Sequence, residues 1–240
     1  MAQKINDLLS TPDSLRLVPT NMKKICFVLA LIVFTSSADA QPFIDEIKAY
    51  QHEDSINPPR RNPILFVGSS SFRLWKDYQS YFPGYTIMNR GVGGSSLPDI
   101  IRYTDQIIIP YQPRQILIYC GENDFASSDT VTAAMVVGRF RELFTKIRKQ
   151  LPKVPIAYVS IKPSPSRAMH REKSIEANEA IRQYLSVQSK ASFINVWDVM
   201  LGEDGKPLPD IFLKDSLHMN AQGYTIWQKQ ITKYLIRKDR

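Results

Sequence analysis

"ILFVGSSSFRLW", Ile64 to Trp75, is the stretch on which the reading of this chain turns. Four apolar residues, Ile64–Val67, run into Gly68 and three consecutive serines. A short apolar run closed by a turn signal reads as a parallel strand buried on both faces. A hydroxyl just past such a strand belongs either to a polar turn or cap, or to a nucleophile. A serine cannot act alone: it needs a base within hydrogen-bond reach and donors for the charge that develops on the substrate. The rest of the chain is read for those partners.

Working outward, four further strand-like runs are expected at Tyr85–Asn89, Gln115–Cys120, Pro155–Ser160 and Ser192–Val196. Longer segments between them carry helical spacing. Val131–Leu151 places Val136, Val137, Phe140, Leu143, Phe144 and Ile147 on one face, and Pro152 stops it. Ser174–Ser189 has a similar face at Ile175, Ala180, Ile181, Tyr184 and Leu185. A last helix is expected to start at Asn220, a good N-cap, and to run through Tyr224, Ile226, Trp227, Ile231, Tyr234 and Leu235. Strands alternating with helices predict an α/β domain: a parallel sheet between two helical layers, in a three-layer α/β/α sandwich. Pro58-Pro59 reads as an entry turn, and Pro163 and Pro165 as a loop after the fourth strand; neither divides the chain.

The chain has 240 residues, 43% hydrophobic and 22% charged, which suits one domain of ordinary size. Its formal net charge is +8, spread along the sequence apart from the tail Arg237–Arg240. No basic stripe interleaved with aromatics marks a nucleic-acid groove, so no nucleic-acid partner is expected. The surplus implies a solvated surface with a mild preference for anionic substrates or surfaces.

Near the N-terminus, Met22-Lys23-Lys24 precedes the apolar run Ile25–Phe34 and the small-residue stretch Ala38-Asp39-Ala40. This order reads as a secretory signal peptide cleaved after Ala40, with an uncleaved anchor or a buried helix as the plainer alternative. Residues 1–40 are then an N-terminal extension plus leader, with Met22 the expected start, and residues 41–240 the mature domain. The run is too short to span a bilayer comfortably, so no stable membrane span is expected in the mature form. An exported, periplasmic or secreted protein follows. Of two cysteines, Cys26 lies in the leader, which leaves Cys120 as a small core residue and excludes a disulfide framework.

In an open parallel sheet, ligands bind beyond the carboxyl ends of the strands. The expected loops there hold Gly68-Ser69-Ser70-Ser71, then Asn89-Arg90-Gly91-Val92-Gly93-Gly94-Ser95, then Gly121-Glu122-Asn123-Asp124. Asp215-Ser216-Leu217-His218 follows the fifth strand, just before the last helix. Four loops on one edge thus offer a hydroxyl, close-approaching backbone amides, a carboxamide and a carboxylate–imidazole pair. Histidine suits the base because it titrates near neutral pH. Three residues back, Asp215 can hold one ring nitrogen while the other faces a serine. Each element has a plainer reading: a helix cap for Ser70, a tight turn for Gly91–Gly94, an Asx turn for Asn123-Asp124, a surface pair for Asp215 and His218. His52 and His170, in an acidic helix-like stretch (Glu46–Asp54) and a basic segment (Arg167–Lys173), are expected at the surface. No His or Cys pair has metal-ligand spacing, so no structural zinc is expected.

The four blocks, Gly68-Ser69-Ser70, Asn89-x-Gly91-x-x-Gly94, Gly121-x-Asn123-Asp124 and Asp215-x-x-His218, resemble those of the SGNH hydrolases, or GDSL-type esterases and lipases. More narrowly, the chain resembles the bacterial branch similar to platelet-activating-factor acetylhydrolase catalytic subunits. The resemblance implies a flavodoxin-like five-stranded sheet and a carboxylic ester hydrolase working without cofactor. It implies Ser70 as nucleophile, His218 as base and Asp215 as its orienting acid. It implies an oxyanion hole from the amides of Ser70 and Gly94 and the side chain of Asn123. One departure stands out: Ser69 occupies the place of the family's usual Asp.

Arg73, Trp75, Arg90, Glu122 and Phe125 are candidates to line a pocket or to pack behind it. Lys162-Pro-Ser-Pro-Ser-Arg167 is expected to rim the site. The resemblance points to short acyl or acetyl esters, of carbohydrates or lysolipids. The rival readings are a non-catalytic module holding a glycan or acyl group in the same cleft, and nucleotide binding through Gly91–Ser96. The latter lacks the lysine of a P-loop and the third glycine of a dinucleotide fingerprint.

Overall fold

The computed structural model of the chain describes residues 41–237. The expected leader, its cleavage site and Cys26 lie outside the described residues. Strand β1 (Ile64–Gly68) is buried along its whole length, as its unbroken apolar run requires. It pairs in parallel with β2 (Ile87–Gly91) on one side and β3 (Gln115–Tyr119) on the other. Then come β4 (Ile156–Val159) and β5 (Ala191–Ile194), giving one five-stranded parallel sheet in the order β2-β1-β3-β4-β5. Strand β2 starts two residues later than the sequence suggests, because the Tyr85 amide still closes a turn by donating a hydrogen bond to the Phe82 carbonyl at 3.2 Å.

The two-residue alternation of strands sorts side chains to opposite faces. Leu65, Val67, Ile116, Ile118, Ile156 and Tyr158 join a core with helices α4 (Leu97–Ile107), α6 (Ala133–Gln150) and α7 (Arg171–Ser186). Phe66, Leu117, Tyr119, Val159 and Ile194 join another with the short helix α2 (Ser70–Arg73) and the last helix α8 (Ala221–Thr232). This is the three-layer arrangement the alternation of elements implies. Two more helices, α1 (Ile44–Ile56) and α3 (Tyr78–Tyr81), and the short α5 (Glu122–Ser127), complete the framework. No described helix is long and apolar enough to cross a membrane.

Helix α6 begins at the Thr132 cap, whose hydroxyl accepts the Met135 amide at 3.2 Å. Helix α8 begins as expected at Asn220, whose side chain accepts the amides of Gln222 and Gly223, but it closes at Thr232 in a turn, short of Tyr234 and Leu235. Helix α4 was not singled out in the sequence, although Leu97, Ile100, Tyr103 and Ile107 give it a buried apolar face. Its start carries a local signal: Asp99 accepts from the amide and hydroxyl of Ser96 at 2.9 and 2.6 Å, with Pro98 in the first turn. Cys120 is buried in the core, as expected. His52 is exposed, but His170 is not a surface residue: a 3-10 turn over Pro165–His170 buries its ring against Phe125, 6.2 Å between centroids.

The sheet has its topological switch point at β1. The chain leaves β1 for β2 on one side and returns to β3 on the other, opening a crevice at the carboxyl ends of β1 and β3. The register places Gly68 beside both Gly91 and Tyr119, so the loops after three neighbouring strands leave at one level.

Candidate active site

Gly68 ends β1 with φ +138°, and a Cβ there would stand 1.8 Å from the Tyr119 carbonyl oxygen. Only glycine brings the chain this close to β3 at that angle. The Ser69 amide then bonds to the same carbonyl at 2.8 Å, and the Ser69 carbonyl accepts the amides of Phe72 and Arg73. Ser69, the residue in the family's Asp position, is buried and serves this turn through its backbone. Ser70 is the first residue of α2, where helix geometry leaves an amide without an intrahelical acceptor.

His218 lies 148 positions further on, yet its Nε2 is 3.1 Å from Ser70 Oγ. Aromatic packing explains the meeting. Phe72 and Trp75, just past Ser70, pack against Trp227 and Tyr224 of α8, just past His218. The Trp75 and Tyr224 rings stack at 4.7 Å and those of Phe72 and Trp227 meet edge-on at 6.0 Å. The Tyr224 hydroxyl also donates to the Ser71 carbonyl at 2.9 Å. One apolar cluster therefore sets the distance between two polar side chains.

The loop carrying His218 is a tight turn. Leu213 and His218 are joined amide to carbonyl at 2.7 Å, and Ser216 takes the left-handed conformation with φ 54°. Asp215 uses both oxygens: Oδ1 accepts the amides of Leu217 and His218 at 3.0 and 2.9 Å, and Oδ2 meets His218 Nδ1 at 2.6 Å. What burial it has pushes the carboxyl up. The hydrogen bonds from the His218 amide and ring and from the Leu217 amide outweigh that, and its pKa falls to about 2. The carboxylate is thus ionised at any working pH, which fixes a proton on Nδ1 and turns the Nε2 lone pair toward Ser70.

The remaining candidates sit on the two neighbouring loops. Gly94, with φ +78°, lies in the turn after β2, which is held to β1 by the Val92 amide on the Gly68 carbonyl at 2.7 Å. Asn123, in the first turn of α5, donates one amide hydrogen to the Ser95 carbonyl at 3.1 Å and keeps a second to give. Neither the Ser70 nor the Gly94 amide has a backbone or side-chain acceptor outside its own element among the described residues. The structure thus joins Ser70, His218 and Asp215 by direct contact, and puts Gly94 and Asn123 on loops tied to the same strand ends.

Of the five residues offered either as pocket lining or as packing behind it, four pack or pair. Trp75 and Phe125 are core residues. Arg90 is buried against Asp54 and the Tyr111 hydroxyl, and Arg73 pairs with Glu46. Only Glu122 lines a cavity, of about 480 Å³, together with the Lys162–Arg167 segment. There Glu122 accepts from the Tyr119 hydroxyl at 2.7 Å, from Lys162 Nζ at 2.6 Å, and from Ser164. Burial pushes the Lys162 pKa down; Glu122 holds it up, Arg167 adds to the fall and Asp215 opposes it. Sequence reasoning did not find Glu46. From α1 it accepts the Gly93 amide at 3.0 Å while pairing with Arg73, so it clamps the turn before Gly94 to the helix that carries Ser70. The acidic character of Glu46–Asp54 was visible, but a partner so distant in sequence was not.

The model of the GDSL-like lipase/acylhydrolase family matches residues 65–226, which include Ser70, Gly94, Asn123, Asp215 and His218. No curated protein matches the chain. Solved structures share its fold at low identity. A Streptococcus pneumonia protein, provisionally described as a platelet activating factor, aligns with TM-score 0.72 and 20% identity over 90% of this chain and all (100%) of its own. A GDSL-like lipase from Bacteroides thetaiotaomicron gives 0.64 and 19%, over 78% of this chain and 96% of that one. An acetylxylan esterase from Geobacillus stearothermophilus gives 0.58 and 13%, over 73% and 94%. With its matched blocks, its strand order and the span of the family model in agreement, the chain belongs to the GDSL-like lipase/acylhydrolase family.

Proposed function

We propose that this protein is a serine esterase that cleaves carboxylic esters through an acyl-enzyme. The observation that carries this reading is the unbroken line from Ser70 Oγ to His218 Nε2 at 3.1 Å and from His218 Nδ1 to Asp215 Oδ2 at 2.6 Å. A hydroxyl needs an adjacent base to become nucleophilic, and an ionised carboxylate on the far nitrogen stabilises the imidazolium that forms.

Ser70 Oγ attacks the ester carbonyl carbon while its proton passes to His218 Nε2. The carbonyl oxygen becomes an oxyanion and is held by the amides of Ser70 and Gly94 and the free hydrogen of the Asn123 carboxamide. The tetrahedral intermediate collapses, the C–O bond to the alcohol breaks, and the alcohol leaves with the proton from Nε2. Water then repeats the sequence: His218 takes its proton, its oxygen adds to the acyl carbon, and Ser70 departs reprotonated. The acid is the Asp215 carboxylate, so Ser69 in place of an Asp removes nothing that proton transfer requires.

The substrate reading is short acyl or acetyl esters, of carbohydrates or lysolipids; an acetylxylan esterase and a family 3 carbohydrate esterase among proteins of this fold support the carbohydrate side. Hydrolysis of p-nitrophenyl acetate by the purified protein tests the mechanism. Ser70→Ala and His218→Ala should lower kcat by about 10⁴-fold or more while circular dichroism stays unchanged. Asn123→Ala should cost about 10²- to 10³-fold. Folded Ser70→Ala protein with wild-type turnover would contradict the assignment.

A further inference from the structure

The cavity beside the catalytic loops has a property that ester cleavage alone does not require. It starts at Glu122, the residue before Asn123, and its wall segment is joined to the catalytic turn by the Ser166 amide on the Ser216 carbonyl at 3.0 Å. Its opposite side is built by the start of α7, by Trp197 and by Asp204–Pro207. Four long cations line it, and they fall into two pairs. Lys162 is answered by Glu122 at 2.6 Å, and Lys206 by Asp204 at 4.0 Å. Arg167 and Arg171 have no carboxylate partner among the described residues.

Those two arginines differ. Arg171 donates to the Gly205 carbonyl at 3.2 Å and lies over the Trp197 ring at 5.2 Å, which holds it in place at the cavity wall. The Arg167 Nε is closed off from water with no hydrogen-bond partner. A buried N–H without a partner is costly and uncommon, the more so on a charged group. A guanidinium held at a cavity wall presents a planar fork that fits carboxylate or phosphate oxygens. Arg167 lines the cavity with no carboxylate among the described residues to answer it, so an uncharged occupant would leave its charge uncompensated.

We propose that this cavity binds an anionic group, a carboxylate or a phosphate, on the part of the ester remote from the bond that breaks, with Arg167 as the main contact and Arg171 as the second. The proposal rests on the ester-hydrolase reading and adds the chemical class of substrate to it. Neighbouring Lys162 cannot fill the role, because Glu122 and Ser164 already hold its ammonium. The net charge of +8 favours the approach of such substrates.

Matched acetyl esters test it. Acetylated methyl glucuronoside, methyl glucoside 6-phosphate and methyl glucoside share the reacting group and differ at C6: a carboxylate, a phosphate or a neutral hydroxymethyl. The wild-type protein should show kcat/KM at least about tenfold higher for one of the anionic esters, through a lower KM, and the two anionic arms show which oxyanion is preferred. Arg167→Gln should collapse that ratio about tenfold or more toward one, and Arg167→Lys should restore part of it. Raising ionic strength should shrink the ratio as well. Equal kcat/KM for all three esters would overturn the anion site and leave the esterase standing. Failure to hydrolyse any of them, or p-nitrophenyl acetate, would overturn the esterase reading and the substrate class with it.

Discussion

The two flanks of the site are built from opposite materials. Under Ser70 and His218, α2 and α8 meet through a cluster of aromatic rings: Phe66, Phe72, Trp75, Tyr119, Tyr224 and Trp227. On the other flank, past Asn123, Lys162, Glu122 and Ser164 form a buried polar knot that faces a charged cavity. Apolar packing is dense and non-directional, so it fixes the distance between two backbones without caring what they carry. A polar knot is directional and fails as a unit when one member is lost. The comparison teaches a division of labour. The aromatic flank holds Ser70 and His218 in register; the polar flank gives shape and charge to the neighbouring cavity.

Truncating the aromatic flank should give the largest stability effect. Trp227→Ala removes a fully buried indole that meets Phe72 and Tyr119 and donates to Met200 Sδ. It should cost about 3–5 kcal/mol in urea unfolding and lower esterase activity, since α8 would no longer hold His218 against Ser70. An unchanged unfolding midpoint would break the comparison on its first side.

Glu122→Gln tests the other side, with a somewhat smaller loss of about 3 kcal/mol near neutral pH, because a buried ammonium is left without its carboxylate. The sign of the pH dependence follows from Lys162. Its folded pKa lies below the ordinary 10.5, so the folded state disfavours the charged form. Without Glu122 that pKa falls further, and the variant should regain stability relative to wild type as pH rises toward 10. A loss independent of pH would show that Lys162 was not held by charge.

The smallest effect concerns Asp215. Its pKa drops from an ordinary 3.8 to about 2, so it contributes stability above pH 4 that disappears as pH falls through about 2. The group is nearly half exposed, which keeps the contribution small. Asp215→Asn should therefore flatten the acid limb of thermal stability over that range. Parallel acid limbs for the two proteins would remove the carboxylate's role in holding the turn.

Much of this was legible in the sequence where the cause is local. Ile64–Gly68 reads as a buried strand because its apolar run has nowhere else to go, and Asn220 reads as a cap because its carboxamide reaches its own helix. The Asp215–His218 pair is one turn apart and closes on itself. What could not be read depends on partners far along the chain. Arg73 and Arg90 sit next to the motif blocks, yet both turn to carboxylates of α1. His170, in a basic segment, reads as exposed until the Pro165–His170 turn lays its ring on Phe125. Adjacency to a motif says which loop a residue is on; the side it faces is set by packing.

The central claim is that Ser70 is activated by His218 within a folded, unperturbed protein. Labelling with a fluorophosphonate, read by peptide mass mapping, tests it most directly. One adduct on Ser70 is expected, lost when His218 is alanine and slowed by an excess of acetyl ester. A folded protein that takes no label, or takes it at another residue, would contradict the account and leave the cleft as a binding surface without chemistry.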